Sequence, residues 1–389
     1  MGRRGRVAGL DGLRGLAALY VVVNHIFERA FPGYPADHAP FWAAGFIYGR
    51  FAVVVFIVLS GLSLALAPAR DGWRLGGVAR FARRRAWRIL PAYWAALAFS
   101  LAVAWLIVPP PGEAVPDPGS VAANALLVQN VFPAATPNRS FWSIAIEAQL
   151  YVLFPLLLLV VRRRGAVVMA AAVTLLVAIV GIAVPHVARL EAFATQSPPD
   201  LAALFALGVL AAGIVAADER RRSWPWAWLA LAAAAPVLAT IWWRGSVWTL
   251  DSLLWVDIAL GPAIACLLAA LVTGRPGPLV RMLDTRPLRS LGRLSYSLYL
   301  THGPLVVVLY EKVVAGRVGH GGPSFLLALA VVVPATVLFA RAFAALFEIP
   351  FQRHRGWPPG VRAAVRAVVR RRGGESGRPA ATYSHGAAS

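Results

Sequence analysis

The chain has 389 residues, of which 59% are hydrophobic and only 14% charged, with a mean hydropathy of +0.66. That composition excludes an ordinary soluble globular fold. Thirty-eight Lys and Arg against 17 Asp and Glu give a formal charge of +21, which fits a nucleic-acid binder in total but not in distribution, because the arginines cluster between apolar runs. Cys266 is the single cysteine, so a disulfide framework, a cysteine-based zinc cluster and a CxxC redox pair are excluded as well.

About 20 mainly apolar residues cross the roughly 30 Å hydrocarbon core of a bilayer. Ten such stretches occur, near residues 9–27, 46–68, 88–109, 141–161, 165–185, 200–216, 224–243, 252–273, 294–315 and 323–346. They predict an all-α, polytopic membrane helix bundle. Lys and Arg are retained on the cytoplasmic face, and with the loops placed on alternate sides 29 of them fall on one side and six on the other. An even number of spans with this asymmetry predicts that both termini are cytoplasmic. The opening MGRRGR and its apolar run resemble a signal peptide, but no small-x-small site ends the run, which continues through Arg14 and His25 into Glu28; the segment is therefore read as a membrane helix.

This gives one membrane domain over 1–350 and a basic cytoplasmic tail over 351–389. In the tail VRAAVRAVVRRR places Arg362, Arg366 and Arg370 on one helix face, suited to an anionic lipid surface, and the remainder is expected to be disordered. The longest outer loop, 110–140, carries an apolar piece, VAANALLVQNVF, of interfacial character.

Ionisable groups at membrane depth are costly, so function is sought among them. Arg14 and His25 are eleven positions apart in the first span, about 16 Å of rise and nearly the same helix face. The pair suits an elongated ligand with an anionic head at Arg14 and a reactive group at His25; the bland alternative is a topology arginine and an interfacial histidine. Arg83, Arg84, Arg85 and Arg88 precede the third span and offer bidentate bonds to phosphate. The fourth span opens Phe141, Trp142, Ser143, with Glu147 two turns in, expected near the depth of His25. A carboxylate there would fix the imidazole tautomer and stabilise an imidazolium; a buried pair with Arg14 or Arg341 is the alternative. The ninth span brings Tyr296, Tyr299 and a second histidine, His302, and Ser60, Asp257 and Arg341 complete the polar set.

Six segments in order resemble one family, the acyltransferase-3 integral membrane acyltransferases. LDGLRGLAALYVVVNH resembles the Arg-x10-His motif of its first helix, through Arg14 and His25. FIVLSGLSLAL is similar to its second span and RRRAWRILPAYW to the arginine-rich approach to its third. WSIAIEAQLYVLFP resembles the WSLxVExQFYLLxP segment, SYSLYLTHGP the SYxLYLxHxP segment, and FEIPF the closing ExP motif through Glu348 and Pro350. The chain departs from the pattern at Val54, Ala148, Thr301 and Gly303, in places where relatives carry acidic or aromatic residues.

The resemblance implies transfer of an acyl group, expected to be acetyl, from acyl-CoA to a hydroxyl of a carbohydrate or glycosylated acceptor. His25 is then the general base, assisted by Glu147 and Arg14. The donor is expected on Arg14, Arg85, Arg88, Tyr296 and His302, and the acceptor on Trp142 and Ser143. No metal and no nucleic acid is implied, and the expected location is a bacterial cytoplasmic membrane. Two alternatives stay open: an acceptor of the macrolide or small-metabolite class, and a transporter or flippase using Arg14, His25 and Glu147 as a proton pathway. An acyl-His25 intermediate with ping-pong kinetics is a variant of the enzyme reading.

Overall fold

The computed structural model describes residues 7–107, 115–132, 134–217, 222–354 and 356. The expected tail helix over 361–372 lies outside them. The long helices are α1 (Leu10–Ala30), α2 (Arg50–Arg70), α3 (Val78–Leu106), α4 (Phe141–Arg164), α5 (Ala166–Ala183), α6 (Asp200–Ala217), α7 (Trp226–Asp251), α8 (Leu253–Thr273), α9 (Arg286–Leu309) and α10 (Gly322–Phe343). Among the described residues nine helices are long and apolar enough to cross a membrane, and α6 with the short helix Ala188–Gln196, bent by 54°, makes a tenth span if the pair is counted as one. The ten expected stretches all coincide with these helices. This is a polytopic helical bundle of a multi-pass membrane protein.

Why the elements end where they do is local. Gly165, at φ 88° and ψ 159°, is the only residue between α4 and α5, and only glycine adopts that backbone cheaply enough to reverse the chain in one step. The helix Pro118–Ala125 starts on Asp117, whose carboxylate accepts the Ser120 backbone N–H at 2.6 Å; that bond holds the Asp117 carboxyl below the usual carboxylate range. The piece expected at the interface is tied to the bundle through Asn124. Asn124, fully buried, donates to the Ser120 and Ala135 carbonyls and receives the Tyr93 hydroxyl on its own carbonyl.

Lipid tails give helices little reason to associate, so close backbone packing must do it. A Cβ on Gly292 of α9 would stand 1.8 Å from the Asp11 carbonyl of α1, and one on Gly12 2.0 Å from the Leu283 carbonyl. Gly292 lets α1 and α9 touch backbone to backbone, which sets Arg14 and His25 against Tyr296, Tyr299 and His302, and Gly12 does the same for α1 and the short helix Gly277–Leu283. Gly61 of α2 and Gly208 of α6 make a second crossing of the same kind, against the Phe205 and Val58 carbonyls. The outer faces of α5 and α7 expose Leu175, Ile179, Ile182, Trp228, Trp242 and Trp243, side chains suited to lipid and its interface.

At the end of the bundle where α1 finishes, an ionic cluster joins three helices. Arg50 of α2 donates from Nε to Asp257 of α8 at 2.5 Å and from a terminal nitrogen to Asp200 of α6 at 2.9 Å. The two carboxylates are 1% and 0% exposed. The Arg50 guanidinium also lies 5.4 Å from the ring centre of Trp142 on α4, a cation–π distance.

Candidate active site

Two hollows enter the bundle from opposite ends of α1. The inner cavity, about 260 Å³, is lined at its mouth by Asp11, Arg14, Arg85, Arg88, Arg293 and Gln352, and at its head by Phe56, Ser143, Ile144 and Tyr299. Arg88 and Arg293 are exposed, so this cavity opens at the Leu10 end. Four of the five residues expected to hold the donor, Arg14, Arg85, Arg88 and Tyr296, lie together on its wall. Arg14 bonds to Asp11 and to Ser63, each at 3.4 Å. Arg85 lies 5.7 Å from the ring centres of both Phe81 and Tyr151, and its buried Nε has no hydrogen-bond partner among the described residues. A buried guanidinium N–H without an acceptor is a ready anchor for an anionic oxygen.

The outer cleft, about 440 Å³, is lined by His25, Glu28, Arg29, Asn138, Arg139, Ser140, Glu311 and His320. His25 Nδ1 is 2.8 Å from Glu28 Oε2, one helical turn along α1. An ionised carboxylate can only accept, so a neutral His25 bonded this way would carry its hydrogen on Nδ1 and leave the lone pair on Nε2. On one side of the ring lies His302, with ring centres 5.2 Å apart and planes within 27°. His302 is fully buried; its Nδ1 faces the carbonyls of Leu298 and Tyr299 at 3.1 and 2.8 Å. Its hydrogen therefore sits on Nδ1, and the Ser140 hydroxyl, at 3.2 Å, donates to Nε2.

Between the hollows stands one short barrier. The Tyr299 and Ser143 hydroxyls are 2.6 Å apart at the head of the inner cavity, and the Tyr299 ring centre is 5.6 Å from that of His302.

Three expectations from the sequence are corrected here. Glu147 is not on His25: its Oε1 receives the Ser60 and Tyr151 hydroxyls at 2.8 and 2.5 Å. Ser143, Ile144, Glu147 and Tyr151 form one stripe of α4 that faces the inner cavity, and α9, through Tyr299 and His302, separates that stripe from His25. Glu147 lines the inner cavity together with Arg14, but its bonds are to Ser60 and Tyr151 and those of Arg14 to Asp11 and Ser63, so the alternative of a buried Glu147–Arg14 pair is not seen among the described residues. His302 is not with the other donor residues, because its ring packs on His25 and its nitrogens are already bonded. Trp142 and Ser143 do not share a site, since adjacent helical positions point about 100° apart; Trp142 lines a third hollow with Arg50, Gln129, Asn130 and Thr136.

Sequence reasoning missed Glu28, Arg293 and Ser63. Glu28 was detectable, since an i, i+3 pair on a helix is a contact pair. One departure from the family pattern also gains a cause: a Cβ on Gly303 would come within 2.6 Å of Asn138 Oδ1, and Asn138 needs that space to donate to the Leu300 carbonyl at 2.9 Å.

The acyltransferase-domain model of the acyltransferase-3 family matches residues 7–344, nearly all of the described helices. The chain belongs to the acyltransferase-3 family. Comparison with curated proteins and with solved structures found no match. The two hollows and the barrier between them are thus features of a membrane acyltransferase-family fold. Among the described residues no group of three or more His, Cys, Asp or Glu is placed to hold a metal ion.

Proposed function

We propose that the protein transfers an acyl group, in the simplest case acetyl, from coenzyme A to a hydroxyl of a carbohydrate or glycosylated acceptor. The observation that carries this reading is the pairing of an arginine-walled inner cavity with an imidazole held through Nδ1 by Glu28 in a separate cleft at the other end of the same helix. The basic mouth suits the phosphates of the donor, and the apolar upper wall of Val53, Phe56, Ile57 and Ile144 suits its narrow pantetheine arm. In a bacterial cytoplasmic membrane, with both termini inside, the donor would enter from the cytoplasm and the acceptor from outside.

In the proposed step the acceptor oxygen attacks the thioester carbonyl and its proton passes to His25 Nε2. The tetrahedral centre then expels the coenzyme A sulfur, which takes that proton back from the imidazolium, so an ester and a free thiol replace a thioester and a hydroxyl. The thioester carbonyl has to pass Tyr299 and Ser143 for this to occur. Arg14 and Glu147 act in the inner cavity, on the donor, and not on the imidazole.

The test mixes membranes holding the protein with [14C]acetyl-CoA and cell-envelope glycans, following both free thiol and label in carbohydrate. Thiol release matched by labelled ester is the expected result. Movement of a glycan across the membrane without thioester consumption would favour a transporter. Replacing Arg85 with alanine is expected to raise the KM for acetyl-CoA about tenfold or more with kcat less affected, since charge-assisted hydrogen bonds contribute about 1.5–3 kcal/mol each. Leucine at Ser143 is expected to plug the head of the inner cavity: steady-state transfer falls at least tenfold while coenzyme A still binds, as read by calorimetry.

A further inference from the structure

We propose that Glu28 is the positioning residue for His25: it holds the hydrogen on Nδ1 so that Nε2 is the basic atom presented to the acceptor. The inference rests on the acyl-transfer reading above for its kinetic part only. Its structural part stands on the 2.8 Å contact between Nδ1 and Glu28 Oε2, within one turn of one helix.

Free neutral imidazole can carry its hydrogen on either nitrogen, and only one of the two forms leaves Nε2 able to accept a proton. Among the described residues no other carboxylate is bonded to this ring: Glu147 is committed to Ser60 and Tyr151, and Glu311 pairs with Arg29 at 3.2 Å. His302 fixes the plane of the His25 ring by stacking but has no nitrogen to spare for it. Stacking sets the tilt, and the carboxylate sets the tautomer. Glu28 also faces the cleft, with Arg139 on the same lining and within electrostatic range of it, so the imidazolium formed in the step has a negative neighbour and the carboxylate has a positive one.

The test uses the full-length protein in nanodiscs, labelled with 15N-histidine, with the His25 resonances assigned by their loss in His25→Gln. The expected spectrum of the parent shows His25 protonated at Nδ1; protonation at Nε2 in the parent overturns the proposal whatever the activity. In Glu28→Leu the tautomer is expected to shift toward Nε2–H and kcat to fall about 10- to 100-fold, with the KM for acetyl-CoA unchanged. Glu28→Gln keeps an acceptor oxygen without the charge, so it is expected to retain the parental tautomer and recover part of the lost kcat. Parental kcat and an unchanged spectrum in Glu28→Leu would overturn the proposal. If the parent itself transfers no label, the acyl-transfer reading fails, and the spectra still decide what Glu28 does.

Discussion

Alanine at His25 is expected to lower acyl transfer by about 10²- to 10⁴-fold, the range a positioned general base supplies, with coenzyme A binding retained. The two effects separate because the donor's arginines and the imidazole line different hollows. Removing a ring at the far end of α1 takes nothing from the wall around Arg14, Arg85 and Arg88. The measurement pairs initial rates of labelled-ester formation with calorimetric titration of coenzyme A. Should the alanine variant turn over at the parental rate, no base at His25 is needed and the proposed step is wrong. Joint loss of binding and rate, with the fold intact, would mean that the two hollows are one site.

Leucine at Arg50 is expected to destabilise the folded state by about 3–5 kcal/mol, the cost of stranding a buried charge that has lost its partner. Arg50 is 19% exposed and holds two carboxylates that are almost fully buried, so its removal leaves two acids facing each other across α6 and α8 with no cation between them. Replacing all three members with apolar residues of similar volume is expected to restore most of the stability, because no charge then remains to be compensated. Thermal unfolding in detergent, scored by size-exclusion homogeneity, distinguishes the two. A single variant as stable as the parent would show that water reaches the carboxylates freely.

What the sequence disclosed follows from how each signal is encoded. Spans are written in runs of about 20 apolar residues, so the nine membrane-length helices among the described residues, and the bent pair that would make a tenth, all lie on expected stretches. The inner cavity was nearly as legible, because positive clusters at the start of a span and an arginine one turn into α1 have few other places to converge. Glu147 shows where the reasoning stops. Depth along a helix can be counted from sequence, but which neighbour a side chain meets depends on which helix lies between, and α9 is placed by glycine contacts at Gly15 and Gly292 that no hydropathy pattern announces. The same gap hid the Arg50 cluster, whose members are 150 and 207 positions apart in the chain. Glu28 is the opposite case: it meets His25 one turn along the same helix, a contact that i, i+3 spacing alone encodes.

The hydroxyl pair of Tyr299 and Ser143 closes the head of the inner cavity, and the His302 ring lies between Tyr299 and the His25 of the outer cleft. A catalyst working across a bilayer must pass a small group without becoming a pore for ions, and a plug made of a single contact meets both demands. Under the proposed reading it would part for a slender chain and re-form when that chain withdraws, which would preserve the electrochemical gradient through each transfer.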